Sequence, residues 1–252
     1  MVSAADPRAA AAGVEMLKAG GSATDAAIAT MLALNVVEPQ SSGLGGGSFW
    51  VRHAARTGQI DTIDARETAP HAATPRWFYT ADGTPLSHAD AVPGGRSPSP
   101  RFNNAVRSFG GDLTPQGSAT FTPGADGLIR NPAQAALLER IAKLGPDSFY
   151  VGPQAQKLVA TVNGAARNPS QMTTGDIASY EAKPRPNLCV PYRTYKICGM
   201  GPPSSGGITV LMILKQLERF DMGKLGPASP VAWHLFAESS RLAYADRNIA
   251  LR

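Results

Sequence analysis

The spacing of apolar residues at the start of the chain predicts two consecutive helices. Asp6-Pro7 is a typical helix start, and apolar residues then recur every three or four positions until a stop at Ala19-Gly20-Gly21. A second helix begins at Ser22 and runs through Leu34, with apolar residues on nearly every side. We therefore expect this second helix to lie between two layers of structure.

Alternation of apolar and polar residues predicts two antiparallel hairpins farther along the chain. The first joins residues 49–52 to residues 60–64. The second runs from Asn187 to Cys198 and turns at Arg193-Thr194.

Helical periodicity returns in the second half of the chain. It predicts helices at residues 131–144, 153–162, 208–220 and 229–252, with a short turn or helix at 173–180. In the last helix the apolar side is expected to carry Val231, Leu235, Leu242 and Tyr244. Helices at both ends, with antiparallel strands between them, predict a layered α/β architecture of the α+β type rather than an alternating βαβ fold.

The chain is expected to form a single domain over residues 1–252. With 43% hydrophobic and 17% charged residues, its 252 residues can bury a substantial core. Residues 85–127 are rich in Pro, Gly, Ser and Asn and contain few apolar runs, so we expect an irregular segment there.

Composition argues against several classes of function. The net charge of +5 comes from 24 basic and 19 acidic residues, and no Lys/Arg run would follow a phosphate backbone, so no nucleic-acid partner is expected. No apolar stretch is long enough to span a membrane, and Met1 does not open a signal peptide. No clustered His, Cys and carboxylate pattern indicates a metal site.

The two cysteines lie at equal distances from the turn of the second hairpin. Cys189 and Cys198 would therefore face each other across the strands. A cross-strand disulfide would indicate an oxidising compartment, whereas two buried free thiols would not. The sequence leaves both alternatives open.

A glycine-rich turn between Ser42 and Ser48 is a candidate binding element. Gly45 and Gly46 lie within it, and consecutive glycines allow the backbone to approach a partner closely while their N–H groups face an anion. The turn has no Gly-Lys-Ser/Thr ending, and the pattern after it predicts a strand. A phosphate loop or dinucleotide site is therefore not expected.

A second glycine-rich turn contains Ser204, Ser205 and Gly206 and opens a helix. Its free N–H groups could bind an anion, since helix N-termini attract negative charge. Capping by one of the serines, together with tight packing, is the commoner explanation for such a turn and needs no ligand.

Arg66 is the residue best suited to bind a ligand. It ends a predicted strand near the first glycine-rich turn, and its planar guanidinium matches a carboxylate bidentately. The alternative is a partly exposed ion pair with Glu67 or Asp64. Spacing alone favours the ion pair.

The chain carries no recognisable nucleophile of its own. Its histidines occur in unrelated contexts, no Gly-x-Ser-x-Gly elbow occurs, and the cysteines lack Cys-x-x-Cys spacing. We therefore expect catalysis to require groups outside this chain.

Five ordered segments resemble the large subunit of the gamma-glutamyltransferase (gamma-glutamyltranspeptidase) family. They are residues 6–27, 37–47, 64–70, 202–207 and 242–247. The second segment, which reads Val-Glu-Pro-Gln-Ser-Ser-Gly-Leu-Gly-Gly-Gly, is the most recognisable of them. Five motifs in the family's order are far more specific than any one motif.

The resemblance implies an N-terminal-nucleophile hydrolase fold, in which two stacked antiparallel sheets lie between helical layers. It also implies a precursor that cleaves itself, so that the new amino-terminal Thr of a small subunit becomes the nucleophile. The γ-glutamyl group of glutathione or a related donor would pass through an acyl-enzyme to water, amino acids or peptides. We expect no catalytic residue on this chain and no cofactor. We also expect a periplasmic or secreted location.

By position, Arg66 matches the family arginine that binds the α-carboxylate of the donor, which favours the ligand-binding interpretation. This contact would orient the γ-carbonyl several bonds away. Further residues are expected to shape the site: Glu67, Ser42, Gly45, Gly46, Ser204, Ser205 and Gly206.

The sequence also departs from the family pattern. A helical stretch that normally separates the segments matching residues 92–94 and 99–101 is missing near residues 94–98, and the chain stops before any small-subunit Thr. We therefore expect no activity from these residues alone. Two alternatives remain: a related self-processing glutaryl or cephalosporin acylase, and a non-catalytic carrier of carboxylate ligands that retains Arg66.

Overall fold

The computed structural model describes residues 1–39, 41–86, 125–126, 130–165 and 168–250. The chain divides into two compact units, each made of two stretches. Unit 1 comprises residues 1–46 and 68–180, and unit 2 comprises residues 47–67 and 181–252. The single-domain assignment stays a prediction. Most of the predicted irregular segment at 85–127, including residues 94–98, lies outside the described residues.

Unit 1 begins with the two predicted helices, α1 (Pro7–Lys18) and α2 (Ala23–Val37). The side chain of Asp6 caps α1, and Ser22 with Asp25 forms a reciprocal capping box at α2. Ile28 and Val36 on α2 are exposed, so the described residues do not cover this helix on all sides as the sequence predicts.

Four more helices complete the described part of unit 1: α3 (Pro132–Leu144), α4 (Asp147–Tyr150), α5 (Pro153–Asn163) and α6 (Thr174–Ala178). Asp176 fixes the start of α6 by accepting hydrogen bonds from the backbone N–H groups of His71 at 2.8 Å and Thr173 at 2.7 Å. These bonds, with that of His71 first, hold the pKa of Asp176 well below its usual range.

Unit 2 contains a three-stranded antiparallel sheet in the order β1, β2, β3, where β1 is Ser48–Ala54, β2 is Gln59–Ala65 and β3 is Lys183–Arg185. The β1–β2 hairpin is the one that the sequence predicts. Strand β3 was not predicted, because it is short and contains Pro184, which cannot donate to a ladder. Its register places Arg185 opposite Thr62.

The second predicted hairpin is also present in unit 2, as β4 (Asn187–Tyr192) and β5 (Tyr195–Met200). Its register pairs Cys189 with Cys198, and their sulfur atoms are bonded across a Cα–Cα distance of 4.1 Å. Paired strands thus bring the two thiols together, as the position of the turn allows.

Helices α7 (Gly206–Leu217), α8 (Met222–Leu225) and α9 (Pro230–Ala250) complete unit 2. Their core is an apolar cluster formed by Ile213, Leu217 and Ala243 with Met212, Met222 and Leu235. No helix among the described residues is long and apolar enough to cross a membrane.

The predicted apolar side of α9 is wrong at three of its four positions. Val231, Leu242 and Tyr244 are exposed, whereas Leu235 packs against the core. The buried side instead carries small residues: Ala232, Ser239 and Ala243. Small side chains let a neighbouring helix approach closely, which leaves no room for large ones at that contact.

Candidate functional site

Arg66 follows Ala65, the last residue of β2, and Ala65 is paired with Ser48 on β1. Its side chain is 61% exposed and makes one ion pair among the described residues, from Nε to Glu67 Oε2 at 3.6 Å. A pair this long and this exposed contributes little free energy. The guanidinium is therefore available to bind an external anion.

Asp64 does not pair with the side chain of Arg66 but holds its backbone. The Asp64 side chain is only 7% exposed, and its Oδ1 accepts the N–H of Arg66 at 3.0 Å. Its Oδ2 accepts two bonds from Arg185, from Nε at 3.0 Å and from Nη2 at 2.9 Å. The Arg66 N–H, followed by the guanidinium of Arg185, lowers the pKa of Asp64, so this carboxylate is ionised at neutral pH.

The side chain of Glu67 is held by Gly47, the last glycine of the first glycine-rich turn. Its Oε1 accepts the N–H of Gly47 at 2.7 Å. Hydrogen bonds from its own N–H and from that of Gly47, together with the charge of Arg66, lower the pKa of Glu67. A Cβ at Gly47 would lie 2.7 Å from Glu67 Cδ and 3.1 Å from the Ala65 carbonyl oxygen. Only glycine fits at this position without displacing the carboxylate.

Arg66 and Glu67, which were predicted to belong to the site, are linked by hydrogen bonds to three residues of unit 2 that the sequence did not assign to it: Gly47, Asp64 and Arg185. Membership of a site stays a prediction for all of them. The run of glycines was a signal for Gly47, although it did not tell which glycine is sterically required. Arg185 could not be found, because strand β3 gave no recognisable pattern.

The other predicted residues of the first turn, Ser42, Gly45 and Gly46, belong to unit 1. The N–H of Ser42 donates to Glu38 O and that of Gly46 to Gly43 O, each at 3.0 Å. No described atom lies within 4 Å of a Cβ built at Gly45. Ser42 also lines an open cavity of about 360 Å³ with Asn35, Gln134 and Lys157 among its other walls. Their role in a site stays a prediction.

The second turn follows the packing alternative in its local structure. Ser204 Oγ accepts the N–H of Gly206 at 3.3 Å, while Ser205 occupies the N-cap position of α7 without a side-chain cap bond. The close approach occurs one residue later, where a Cβ at Gly207 would overlap the Met200 carbonyl oxygen. A ligand role for this turn stays a prediction.

Within the described ranges, no group of three or more His, Cys, Asp or Glu side chains is placed to hold a metal ion. Both cysteines are in the disulfide. The chemistry that the described residues of unit 2 support is recognition of an anion by Arg66, whose backbone and acidic neighbour are each held in place.

Comparison with known proteins gives one consistent family. The family model for "Gamma-glutamyltranspeptidase" matches residues 9–111 and 99–251. The chain is 35% identical over 293 residues to the glutathione hydrolase proenzyme of Escherichia coli, covering 98% of this chain and 50% of the relative. It is 34% identical over 303 residues to the acylase ACY 1 proenzyme of a Pseudomonas species, covering 99% of this chain and 53% of that relative.

Solved structures agree with the sequence comparison. The gamma-glutamyltranspeptidase of Helicobacter pylori matches with a TM-score of 0.83 at 28% identity, covering 99% of this chain and 83% of that one. The chain spans about half the length of the curated relatives that it matches.

Proposed function

Because the chain belongs to the gamma-glutamyltranspeptidase family, we propose that it is the large-subunit portion of an enzyme that transfers γ-glutamyl groups. The donors are glutathione and related γ-glutamyl compounds, and the acceptors are water, amino acids or peptides. The partner is a small subunit from the same precursor, whose amino-terminal Thr is the nucleophile. Relatives named glutathione hydrolase proenzyme support this proposal.

The observation that carries the proposal is the state of Arg66 at the end of β2. Its guanidinium is exposed, while its backbone N–H is held by the buried Asp64. The guanidinium of Arg66 can donate two parallel hydrogen bonds to the α-carboxylate of the γ-glutamyl substrate. Binding this end of the donor fixes the position of the γ-carbonyl at the other end.

The reaction then needs two acyl transfers. The Thr hydroxyl of the small subunit attacks the γ-carbonyl carbon, a base takes its proton, and the donor's amine leaves after accepting a proton. Water or an acceptor amine next attacks the resulting ester and releases the Thr hydroxyl. The contribution of this chain is to bind and orient the donor, and the reaction uses no cofactor.

A related acylase that removes a dicarboxylic side chain is the second candidate function. The similarity to an acylase proenzyme at 34% identity favours it, and such a substrate also presents a carboxylate to Arg66. A glutaryl group differs from a γ-glutamyl group by lacking the α-amine. Comparing turnover of γ-glutamyl-p-nitroanilide and glutaryl-p-nitroanilide separates the two functions.

A periplasmic or secreted location is part of the proposal. The bond between Cys189 and Cys198 supports it, since structural disulfides form and persist mainly in oxidising compartments. Fractionation of cells that express the complete precursor, followed by detection of the protein outside the cytoplasm, tests it.

Substitution of Arg66 tests the proposed function. Arg66→Lys keeps the charge but loses the bidentate geometry, so kcat/KM of the assembled enzyme for γ-glutamyl-p-nitroanilide should fall about 100-fold. Arg52→Lys is the matched control, since Arg52 is also an exposed arginine of this hairpin in an ion pair, with Asp61. Its kcat/KM should stay within about twofold of wild type. Unchanged kinetics in Arg66→Lys would remove Arg66 from the site.

A further inference from the structure

We propose that Asp64 is a positioning residue for Arg66, and that its buried carboxylate directs the guanidinium toward the α-carboxylate of the donor. This inference rests on the proposed function. It concerns the residue that holds Arg66 in place, and Asp64 itself is not required to touch the substrate.

Each carboxylate oxygen of Asp64 binds a different partner. Oδ1 accepts the Arg66 N–H at 3.0 Å, and Oδ2 accepts the two bonds from Arg185. Asp64 thereby joins the residue that follows β2 to the neighbouring strand β3. The side chain of Thr62 adds a second link, because its hydroxyl donates to the backbone oxygen of Arg185.

This arrangement requires two acceptor oxygens in the side chain at position 64. An asparagine at position 64 has one acceptor oxygen and one NH₂ donor in place of the two carboxylate oxygens. Its oxygen could satisfy the Arg66 N–H or the Arg185 guanidinium, while its NH₂ would face a donor at the other. Since Asp64 is 7% exposed, water cannot readily replace the lost partner.

The direction of the Arg66 side chain depends on how its backbone is held. A long flexible arginine has many rotamers, and its range is set by where its backbone is fixed. Asp64 fixes the N–H of Arg66, and the N–H of Gly47 fixes Glu67 on the other side. Because catalysis is sensitive to errors of about 1 Å in donor placement, releasing the backbone should weaken recognition of the α-carboxylate.

The charged side chains around Arg66 also favour binding of a ligand. Arg185 is a second guanidinium near the end of β2, and its ion pair with Asp64 at 2.9 Å neutralises it. Glu67 accepts the N–H of Gly47, and its ion pair with Arg66, from Nε to Oε2, is long at 3.6 Å. Each acidic neighbour of Arg66 therefore has a hydrogen-bond partner of its own, and within the described part of the chain the exposed guanidinium of Arg66 is left with one long ion pair, so it can bind a substrate carboxylate.

The test compares Asp64→Asn with Asp61→Asn in the assembled two-subunit enzyme. Asp61 lies on the same strand and pairs with the exposed Arg52 at 2.7 Å, so the control removes one charge and one ion pair from β2 without touching Arg66. Competitive inhibition constants are measured for L-glutamate and for 4-aminobutyrate, which is the same molecule without its α-carboxylate. The reporter reaction is turnover of γ-glutamyl-p-nitroanilide.

If Asp64 positions Arg66, Asp64→Asn should weaken inhibition by L-glutamate about tenfold and leave inhibition by 4-aminobutyrate within about twofold. Asp61→Asn should change neither constant by more than about twofold. Equal weakening of both inhibitors by Asp64→Asn, or no change in either, would overturn the inference, because a general structural defect does not distinguish the two ligands.

Arg185→Lys keeps the experiment decisive if Asp64→Asn fails to fold or to process. Lysine preserves the charge that faces Asp64 and replaces two directed bonds by one. It should weaken inhibition by L-glutamate about threefold and leave inhibition by 4-aminobutyrate unchanged. If the ratio of the inhibition constants for L-glutamate and 4-aminobutyrate is the same in this variant as in wild type, the inference is wrong.

Failure of the proposed function gives a different result. If the wild-type enzyme does not distinguish L-glutamate from 4-aminobutyrate, the α-carboxylate is not recognised and both proposals fail. If the wild type distinguishes them and Asp64→Asn does so equally well, the proposed function stands and the positioning role of Asp64 is wrong.

Discussion

Arg66 has two carboxylates close to it in sequence, and from spacing alone either could neutralise it. In the folded chain, Asp64 binds the backbone N–H of Arg66 and the guanidinium of Arg185, whereas Glu67 binds the N–H of Gly47 and makes the longer ion pair with Arg66. The weakness of that remaining ion pair makes a ligand-binding role for Arg66 physically reasonable. A short, well-buried pair would have argued against it.

Gly47→Ala is the substitution that tests the close contact with Glu67. An alanine Cβ would lie 2.7 Å from Glu67 Cδ and 3.1 Å from the Ala65 carbonyl oxygen, so the carboxylate must shift, which weakens its hydrogen bond from the position 47 N–H. We expect a loss of about 1–2 kcal/mol in the free energy of unfolding, and a reduced kcat/KM for γ-glutamyl donors.

Gly45→Ala is the matched control for this prediction. It changes the same loop, and no described atom lies within 4 Å of the added Cβ. Its free energy of unfolding should stay within about 0.5 kcal/mol of wild type in a urea titration. Equal effects of the two substitutions would show that the contact with Glu67 is not what requires glycine at position 47.

Among the helices and strands, the second glycine-rich turn positions α7 against strand β5. The steric requirement lies at Gly207, where any Cβ would meet the backbone of Met200, and at Gly199, where a Cβ would lie 3.1 Å from Gly207 Cα. Two glycines facing each other allow a helix and a strand to approach more closely than side chains permit.

Gly207→Ala should therefore destabilise the fold by about 3 kcal/mol or more, because the clash is with backbone that cannot rotate away. Gly206→Ala is the control in the adjacent position, where the nearest atom to an added Cβ is Ser204 Oγ at 3.7 Å, an ordinary contact. Thermal unfolding of the two variants should differ by many degrees. A similar Tm for both would contradict the proposed close approach.

The periodicity of apolar residues predicted both hairpins but not the buried side of α9. Both hairpins were predicted, because a turn between two alternating stretches is a local signal. The apolar side of α9 was predicted wrongly at Val231, Leu242 and Tyr244, since the contact of α9 with its neighbours uses small residues. A pattern of large apolar residues cannot reveal a helix contact made through Ala and Ser.

Over the full length of the chain, the five ordered motifs are sufficient to predict the family and its fold class. Mixed helices and antiparallel sheets, with the match to a solved gamma-glutamyltranspeptidase at a TM-score of 0.83, confirm the N-terminal-nucleophile hydrolase fold class. The alternative of a non-catalytic carrier differs from the enzyme in lacking a second chain that begins with Thr.

Intact-mass analysis of the purified complete protein should show two chains, the smaller beginning with Thr. Self-cleavage frees the amine and hydroxyl of that residue for catalysis, so activity should appear only after the second chain forms. The 252-residue chain expressed by itself is the control and should not turn over γ-glutamyl-p-nitroanilide. A single uncleaved polypeptide with full activity would contradict the two-chain mechanism.

The sequence alone predicted the helix starts, the hairpin turns, the family motifs and Arg66 as the candidate ligand-binding residue. Each of these predictions depends on residues close together in the chain. Only the folded arrangement established that Asp64 pairs with Arg185, more than a hundred positions away. It also established that a Cβ at Gly47 would displace the Glu67 carboxylate, whereas one at Gly45 would meet no described atom within 4 Å. Strand β3 and the buried side of α9 were also established there. Such contacts join segments distant in sequence, and their geometry depends on how strands and helices pack rather than on any local pattern.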